Sequence, residues 1–183
     1  MVDPQIASAL QPYLAPRERL TWTGRPARGL MLGPRDALLI PFSLLWGGFA
    51  VFWETMVLRT PAPGFFAIWG VPFVLVGLYM IVGRFFHDAW LRSRTVYGVT
   101  NERAIILRRA MGANVVSNGL GGEVRITGQR GSSGTLEFGS PPPTLAAMNG
   151  FSVWVPSLGG QVRFLQVPNV MEVYQLSLGN REA

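Results

Sequence analysis

The chain contains no cysteine and no lysine, and His87 is its single histidine. Without cysteine it can form no disulfide, no thiol nucleophile and no cysteine-ligated metal site. Without lysine it has neither a Schiff-base residue nor the lysine of a phosphate-binding P-loop. Few of the side chains that enzymes use for chemistry remain. The sequence therefore predicts no catalytic residue, no metal site and no cofactor.

Charged side chains are also scarce, at 14% of the 183 residues, and all 16 basic residues are arginine. The formal net charge of +6 is of the kind found in nucleic-acid-binding proteins. Here, however, the arginines crowd both ends of a long apolar block, where the orientation of a membrane protein accounts for them. We therefore expect no nucleic-acid partner.

Two apolar runs dominate the chain, and neither contains a charged side chain: Ala37 to Trp53 and Phe65 to Gly83. A run of about 18 residues can cross the hydrocarbon core of a bilayer. The second run is long enough, and the first reaches this length when it continues through Glu54 towards Leu58. Burial inside a soluble domain would require a core that surrounds two helices apolar on every face. The rest of the chain is too small for that, so we predict transmembrane helices at about 37–58 and 65–83.

The segment between the runs contains Pro61, Pro63 and Gly64, which stop a helix and turn the chain, so the pair is predicted to be a hairpin. Trp46 and Trp69 lie well inside the runs and are interpreted as packing residues. Small residues recur in both runs: Gly47, Gly48 and Ala50 in the first, and Ala67, Gly70, Val74 and Gly77 in the second. Such residues let membrane helices approach closely, although glycine is also simply common in membrane helices.

The arginines predict the orientation. Arg19, Arg25, Arg28 and Arg35 are among those that precede the first helix, Arg84, Arg92, Arg94 and Arg103 are the first to follow the second, and Arg59 alone lies in the loop. Short segments rich in arginine stay in the cytoplasm. We expect a protein of the inner (plasma) membrane with both termini cytoplasmic. The first run begins too late, and lacks the cleavage site, to be a signal peptide.

Residues 1–36 form the predicted N-terminal segment. Ile6, Leu10 and Leu14 recur every four residues, as on a short surface helix. Residues 19–24 alternate apolar and polar side chains around Trp22, which is typical of a strand. A lone strand is unstable, so we expect it to pair with a sheet built after the hairpin. The alternative is an interfacial segment with Trp22 among the lipid headgroups.

Residues 84–94 are predicted to form a juxtamembrane helix that continues the second helix through the membrane interface. Long arginine side chains in this position can reach lipid phosphates. The candidate headgroup contacts are Arg28, Arg35, Arg84, Arg92 and Arg94. His87 and Asp88 are adjacent, and adjacent residues on a helix do not face each other, so we do not interpret them as an acid–base pair.

The sequence of residues 95–183 predicts a β domain. Short runs rich in Val, Ile and Tyr are separated by glycine-rich turns, and a helix at about 168–178 closes the domain. This pattern predicts a small barrel or sandwich. Further short apolar stretches, FSVWV and VRFLQV, follow a proline-rich loop at 140–150, and the strand order after residue 140 is left open.

Several of these segments resemble the bacterial PH-domain membrane proteins: ERLTWTGRP at 18–26, TVYGVTNERAIIL at 95–107, GQRGSSGTLEFG at 128–139 and the closing F-x-x-V-P-N-V-x-x-V-Y at 164–174. The resemblance implies a pleckstrin-homology-like barrel of two bent antiparallel sheets, plugged at one end by a C-terminal α-helix. It implies no known catalytic residues. The expected fold class is thus a membrane protein with a two-helix transmembrane hairpin and a mainly-β PH-like domain.

Two function classes follow. The first is a membrane-anchored, non-catalytic PH-like module that acts as a scaffold, or binds anionic phospholipid or an unidentified protein at the cytoplasmic face. The alternative is a small integral-membrane enzyme of envelope or lipid metabolism, which would need titratable groups gathered in a pocket. The glycine-rich stretch around Ser132 and Ser133 could cradle phosphate, but it joins two strands and is better interpreted as a turn.

Overall fold

The computed structural model describes residues 1–33, 35–61, 64–140, 153–158 and 161–179. The helices are α1 (Pro4–Leu10), α2 (Asp36–Arg59), α3 (Gly64–Leu78), α4 (Arg84–Ser93) and α5 (Val170–Gly179), with a π-helical stretch, Tyr79–Gly83, between α3 and α4. The strands are β1 (Leu20–Gly24), β2 (Thr95–Thr100), β3 (Arg103–Arg108), β4 (Asn114–Gly119), β5 (Val124–Arg130), β6 (Ser133–Phe138) and β7 (Val162–Val167). Short 3-10 turns lie at Gln11–Tyr13 and Pro156–Leu158. Most of the predicted proline-rich loop, and the start of FSVWV, lie outside the described residues.

Two helices are long and apolar enough to cross a membrane: α2, with 24 residues, and the continuous helix from Gly64 to Ser93, with 30. They pack side by side as a helical hairpin, hereafter the hairpin. Only 22% and 11% of their most apolar windows are buried inside the protein. A core helix of a soluble protein would be mostly buried, so this exposure favours an apolar surrounding outside the protein.

Glycine sets the distance between the two helices. A Cβ added to Gly77 would lie only 2.8 Å from the Cα of Gly47, so the two backbones touch at this crossing. Gly48, the next residue, faces open space. Of the small residues predicted to line the contact, Gly47 and Gly77 are therefore part of it, because glycine is the residue that permits such an approach.

The β strands form two antiparallel sheets, one in the order β1-β2-β3-β4 and one in the order β5-β6-β7. Strand β1 pairs with β2, placing Trp22 opposite Val99, although the hairpin separates them in sequence. Trp22 is 7% exposed and belongs to the protein core. The pairing expected from the alternation around Trp22 is thus present, and the interfacial alternative for this segment is wrong.

Aromatic rings fill the space between the two sheets. Phe164 lies at the centre, with its ring centroid 4.5 Å from that of Tyr97, 5.0 Å from that of Phe138 and 5.9 Å from that of Trp22. Helix α5 closes the domain because Val170 and Val173 are fully buried against this cluster.

The outer face of the first sheet is covered by α1. Ile6 and Leu10 pack on Ile105 and Leu107 of β3, and all four are buried. Strand β3 therefore has apolar partners on both faces, which explains its unbroken apolar run. The helix expected at the surface does lie outermost, but its apolar side chains form a second core.

Glu18 fastens this N-terminal segment to the turn between β2 and β3. Its Oε1 accepts hydrogen bonds of 2.8 Å from Nε of Arg103 and from the hydroxyl of Thr100. Its Oε2 accepts from Arg103 and from the backbone N–H of Ala15. The hydrogen bonds from Arg103 lower the pKa of Glu18 to about 2.

Candidate anion-binding site

Helix α4 carries the chain from the hairpin into β2, and one of its faces is buried in the protein. Arg84, Asp88 and Arg92 recur every four residues and therefore share that face. All three are at most 7% exposed. Charged side chains are buried to this extent only when they have partners, so their contacts define the junction between the hairpin and the β domain.

Each of the three nitrogens of the Arg92 guanidinium donates to a protein oxygen. Its Nε donates to Asp88 at 2.8 Å, and its two terminal nitrogens donate to the carbonyl oxygens of Ala27 and Gly29, each at 2.7 Å. The planar guanidinium thus holds the segment that leads from β1 into α2.

Arg84 is held at the base of the hairpin by Asp36, the first residue of α2, at 2.7 Å. Its guanidinium also lies over the ring of Phe85, 4.2 Å from the centroid. Its Nε and one terminal nitrogen have no hydrogen-bond partner in the described part of the chain. This ion pair thus links the start of α2 to the start of α4.

Asp88 binds the segment 153–158 to the same helix. Its second oxygen accepts the backbone N–H of Ser157 at 3.1 Å. Nearby, the ring of Trp154 lies 6.1 Å from that of Phe42 in α2. His87, by contrast, contacts the hydroxyl of Tyr79 at 2.7 Å. The two side chains have separate partners, as expected for neighbours on a helix.

A small pocket of about 20 Å³ lies between these groups and the edges of both sheets. We call it the junction pocket. Three arginines line it, Arg92 from α4, Arg108 from the end of β3 and Arg163 from β7, together with Ser157 and Gln161. Thr95, Tyr97, Ile106, Pro156 and Leu165 complete the lining. Its volume suits a single water-sized group.

Three donor-bearing groups around the pocket have no partner among the described residues: Nε of Arg108, the hydroxyl of Ser157 and the side-chain nitrogen of Gln161. Ser157 is only 7% exposed. A buried donor without an acceptor costs about 1–3 kcal/mol, and more when it is charged. The pocket therefore has a physical requirement for an acceptor that the described protein atoms do not supply.

The charged side chains around the junction pocket also favour an acceptor there. Arg92 and Arg163 are paired with Asp88 and Glu137. Arg108 has no carboxylate partner among the described residues; its guanidinium donates instead to the carbonyl oxygen of Ser157. Burial lowers the pKa of Arg108. An anionic oxygen would satisfy both its charge and its free donor.

The predicted headgroup contacts divide into two groups. Arg28, Arg35 and Arg94 are exposed, and the guanidinium of Arg94 lies 4.4 Å from the centroid of the Trp90 ring. Arg84 and Arg92 are each 3% exposed and turned towards protein partners. The five candidate headgroup contacts thus differ in their surroundings, three being exposed and two turned towards the protein. The physical reason is that both residues share the face of α4 that packs on the protein.

Sequence reasoning missed Arg108, Ser157, Gln161 and Arg163. Strand β3 ends on Arg108 after four buried residues, which is the one local signal of a cation near the core. Gln161 and Arg163 are brought near Arg108 by the pairing of β7 with β6, and Ser157 by its hydrogen bond to Asp88. These contacts join segments that are distant in the sequence. Among the described residues, no group of three or more His, Asp or Glu side chains is placed to hold a metal ion.

We compared the chain with protein-family models, with curated proteins and with solved structures, and none of them matches it. The resemblance to PH-domain membrane proteins therefore rests on the residues that carry it.

Proposed function

We propose that the protein is a membrane-anchored, non-catalytic module whose PH-like β domain binds the headgroup of an anionic phospholipid at the cytoplasmic face of the inner membrane. In this proposal the hairpin is the anchor. The junction pocket receives one anionic oxygen of the headgroup, and the exposed arginines contact the surrounding lipid.

The observation that carries the proposal is that Arg108 forms no ion pair with a described carboxylate. Its neighbours in the pocket have carboxylate partners and it has none in the described part of the chain. Outside the described residues the chain has one carboxylate side chain, Glu182, and residues 141–152 and 159–160 contain none. Burial lowers the pKa of this half-buried guanidinium although the nearby Asp88 acts in the opposite direction, so an anionic ligand would be stabilised there.

The position of the pocket supports a lipid as the source of that anion. It lies where α4 leaves the hairpin, and Arg92 ties it to the segment that enters α2. If the hairpin spans a bilayer, the pocket lies close to the headgroup layer. Arg28, Arg35 and Arg94 are exposed in the segments that flank the hairpin. Each basic residue near an anionic membrane surface contributes about 1 kcal/mol.

The pocket lining supports the non-catalytic part of the proposal. The described lining contains cations, hydroxyls and an amide, and no His, Asp or Glu side chain that could act as a general base. The one histidine of the chain is bonded to Tyr79 instead. A protein partner is a second candidate, because a carboxylate oxygen of an acidic side chain would satisfy Arg108 equally well.

The test uses the full-length protein in nanodiscs of phosphatidylcholine with and without phosphatidylglycerol. We expect phosphatidylglycerol to raise the melting temperature of the wild type, and Arg108→Gln to lose a large part of that gain. Arg130→Gln is the matched control, because Arg130 is an exposed arginine at the end of β5. It lies at the opposite end of its sheet from Val162, whose neighbours Gln161 and Arg163 line the junction pocket. Equal gains for the wild type and Arg108→Gln would refute the pocket as the lipid site.

Orientation is tested separately. We expect a periplasm-dependent reporter, such as alkaline phosphatase, to be inactive when fused after Ala183 and active when inserted in the loop after Thr60. The opposite result would place the junction pocket on the outer face and refute the cytoplasmic assignment.

A further inference from the structure

Glu54 is the only charged residue between Asp36 and Arg59 in α2. It is 9% exposed and lies in the contact between the two hairpin helices. Its Oε2 has no hydrogen-bond partner in the part of the chain that the structure describes. An ionisable residue buried between apolar helices of this length is expensive to maintain and is a functional candidate by default.

Gly70 of α3 creates the space that the Glu54 carboxylate occupies. A Cβ added to Gly70 would overlap with Oε2 of Glu54 and would lie 2.8 Å from its Cδ. The same Cβ would lie 2.7 Å from Cζ3 of Trp53. The carboxylate and the edge of this tryptophan ring are therefore immediate neighbours, side by side against the backbone of α3.

Trp53 also forms part of the wall of a cavity of about 210 Å³ in the hairpin, which we call the aromatic cavity. The other lining residues are Trp46, Phe49, Ala50, Trp69 and Phe73. An engineered cavity of about 150 Å³ holds benzene, so this one has room for a ring-sized group.

Trp46 and Trp69 were expected to be packing residues, but their side chains are 40% and 57% exposed. Both rings border the aromatic cavity, and that of Trp69 also stacks on Phe65, with ring centroids 6.3 Å apart. The faces of tryptophan rings attract cations more strongly than those of the other aromatic residues. Glu54 is not itself a lining residue, but its carboxylate adjoins Trp53, which forms part of the wall. A wall with three tryptophans and a carboxylate beside one of them is complementary to a positive charge carried on an apolar body.

We propose that the aromatic cavity binds an organic cation, a substituted ammonium attached to a ring-sized or hydrocarbon group, with Glu54 as the counter-charge. This inference goes beyond the anionic-lipid site, which lies at the other end of the hairpin. Glu54 lies five residues before Arg59, or about 8 Å along the helix from the loop end. A ligand can thus reach the site from the loop side of the hairpin.

The test compares two ligands of the same shape on the full-length protein in nanodiscs, with empty nanodiscs subtracted. Benzyltrimethylammonium carries the charge, and neopentylbenzene replaces its nitrogen by carbon. We expect saturable binding of the cation, by titration calorimetry, at least tenfold tighter than that of the neutral molecule. Equal affinities, or no saturable binding of either ligand, would overturn the proposal.

Glu54→Gln removes the charge of the side chain while it keeps nearly the same size and shape. We expect it to weaken binding of the cation about tenfold, towards the affinity of neopentylbenzene, and to leave the affinity for neopentylbenzene unchanged. That unchanged affinity reports an intact cavity. Glu172→Gln, which removes an exposed carboxylate from α5, is the matched control and should alter neither affinity. Full retention of cation binding by Glu54→Gln would show that the carboxylate is not the counter-charge.

Discussion

The hairpin and the β domain place the same residue types in opposite surroundings. Phe138 and Phe164 of the β domain are at most 1% exposed, whereas Phe52 and Phe65 of the hairpin are 62% and 67% exposed. The β domain provides the apolar environment for its own aromatic rings. The hairpin does not, and its side chains need an apolar medium outside the protein. The proposed bilayer is that medium.

The two regions also differ in how their elements are held together. Two sheets and α5 enclose large aromatic side chains in the β domain. The hairpin helices instead meet where side chains are missing, at Gly47 and Gly77. Burying apolar surface drives association in water, but lipid is as apolar as the helices, so close packing must replace it.

Carboxylates show a third contrast. Glu18 is buried beside the β domain with four hydrogen bonds to its two oxygens. Glu54 is buried in the hairpin and one of its oxygens has none among the described residues. Full satisfaction is expected of a structural ion pair, whereas a buried oxygen without a partner calls for an explanation, which the proposed organic cation would supply.

The largest effect should come from the aromatic core. We expect Phe164→Ala to lower the free energy of unfolding of the β domain by about 3–5 kcal/mol, because it removes the ring at the centre of three others. Phe52→Ala removes the same side chain from an exposed hairpin position and should cost less than about 1 kcal/mol. Denaturation of both variants in the same detergent measures the difference. Similar losses would contradict the division into two surroundings.

Glu18→Gln should cost about 1.5–3 kcal/mol near neutral pH, since it removes hydrogen bonds between charged groups. The pKa of Glu18 is lowered to about 2 from 4.5, so its contribution is full above about pH 4.5 and is lost as the pH falls towards 2. Unfolding of both proteins from pH 7 down to pH 2 checks this. Their stabilities should converge at the acid end; a constant difference would exclude the ion pair as its cause.

Within the hairpin, Gly77→Ala should destabilise the pair of helices by about 1–3 kcal/mol, because the new methyl group meets the backbone of Gly47. Gly48→Ala is the matched control: its Cβ meets nothing within 4 Å, so the variant should be neutral or slightly more stable. Unfolding by SDS in mixed micelles compares them. Equal behaviour of the two alanines would argue against the glycine contact.

The smallest effect is expected at the surface. Arg35→Gln should reduce the stabilisation by phosphatidylglycerol by about 1 kcal/mol, because it removes one exposed cation next to the start of α2. Arg130→Gln, far from the hairpin, should not change it. The difference between the two should shrink at high salt, where surface charges are screened. An Arg35 effect that persists in neutral lipid would point to a structural role instead.

Much of the architecture could be read from local sequence patterns. The apolar length of the two runs and the turn around Pro61 predict the paired helices. The alternation around Trp22 predicts β1 and its need for a partner strand. These features depend on neighbours in the sequence, and the side-chain period of a helix or a strand reports them directly.

The packing of particular segments could not be predicted from such local patterns. The burial of β3 on both faces, between two cores, depends on where α1 packs, because Ile6 and Leu10 cover its outer face. The position of the stretch FSVWV also depends on tertiary contacts. Its described residues, 153–155, do not form a strand, and Trp154 contacts Phe42 of α2 and Arg84 of α4.

The sequence by itself determined the two apolar helices, the strand segments, the closing helix and the absence of cysteine and lysine chemistry. Only the tertiary structure decided which charges are free. Arg92 bonds to carbonyl groups 63 and 65 residues away, and Asp88 to a backbone amide 69 residues away. Whether a buried charge finds a partner depends on atoms within about 4 Å in space, and contacts between segments so distant in the chain leave no periodic signal in it.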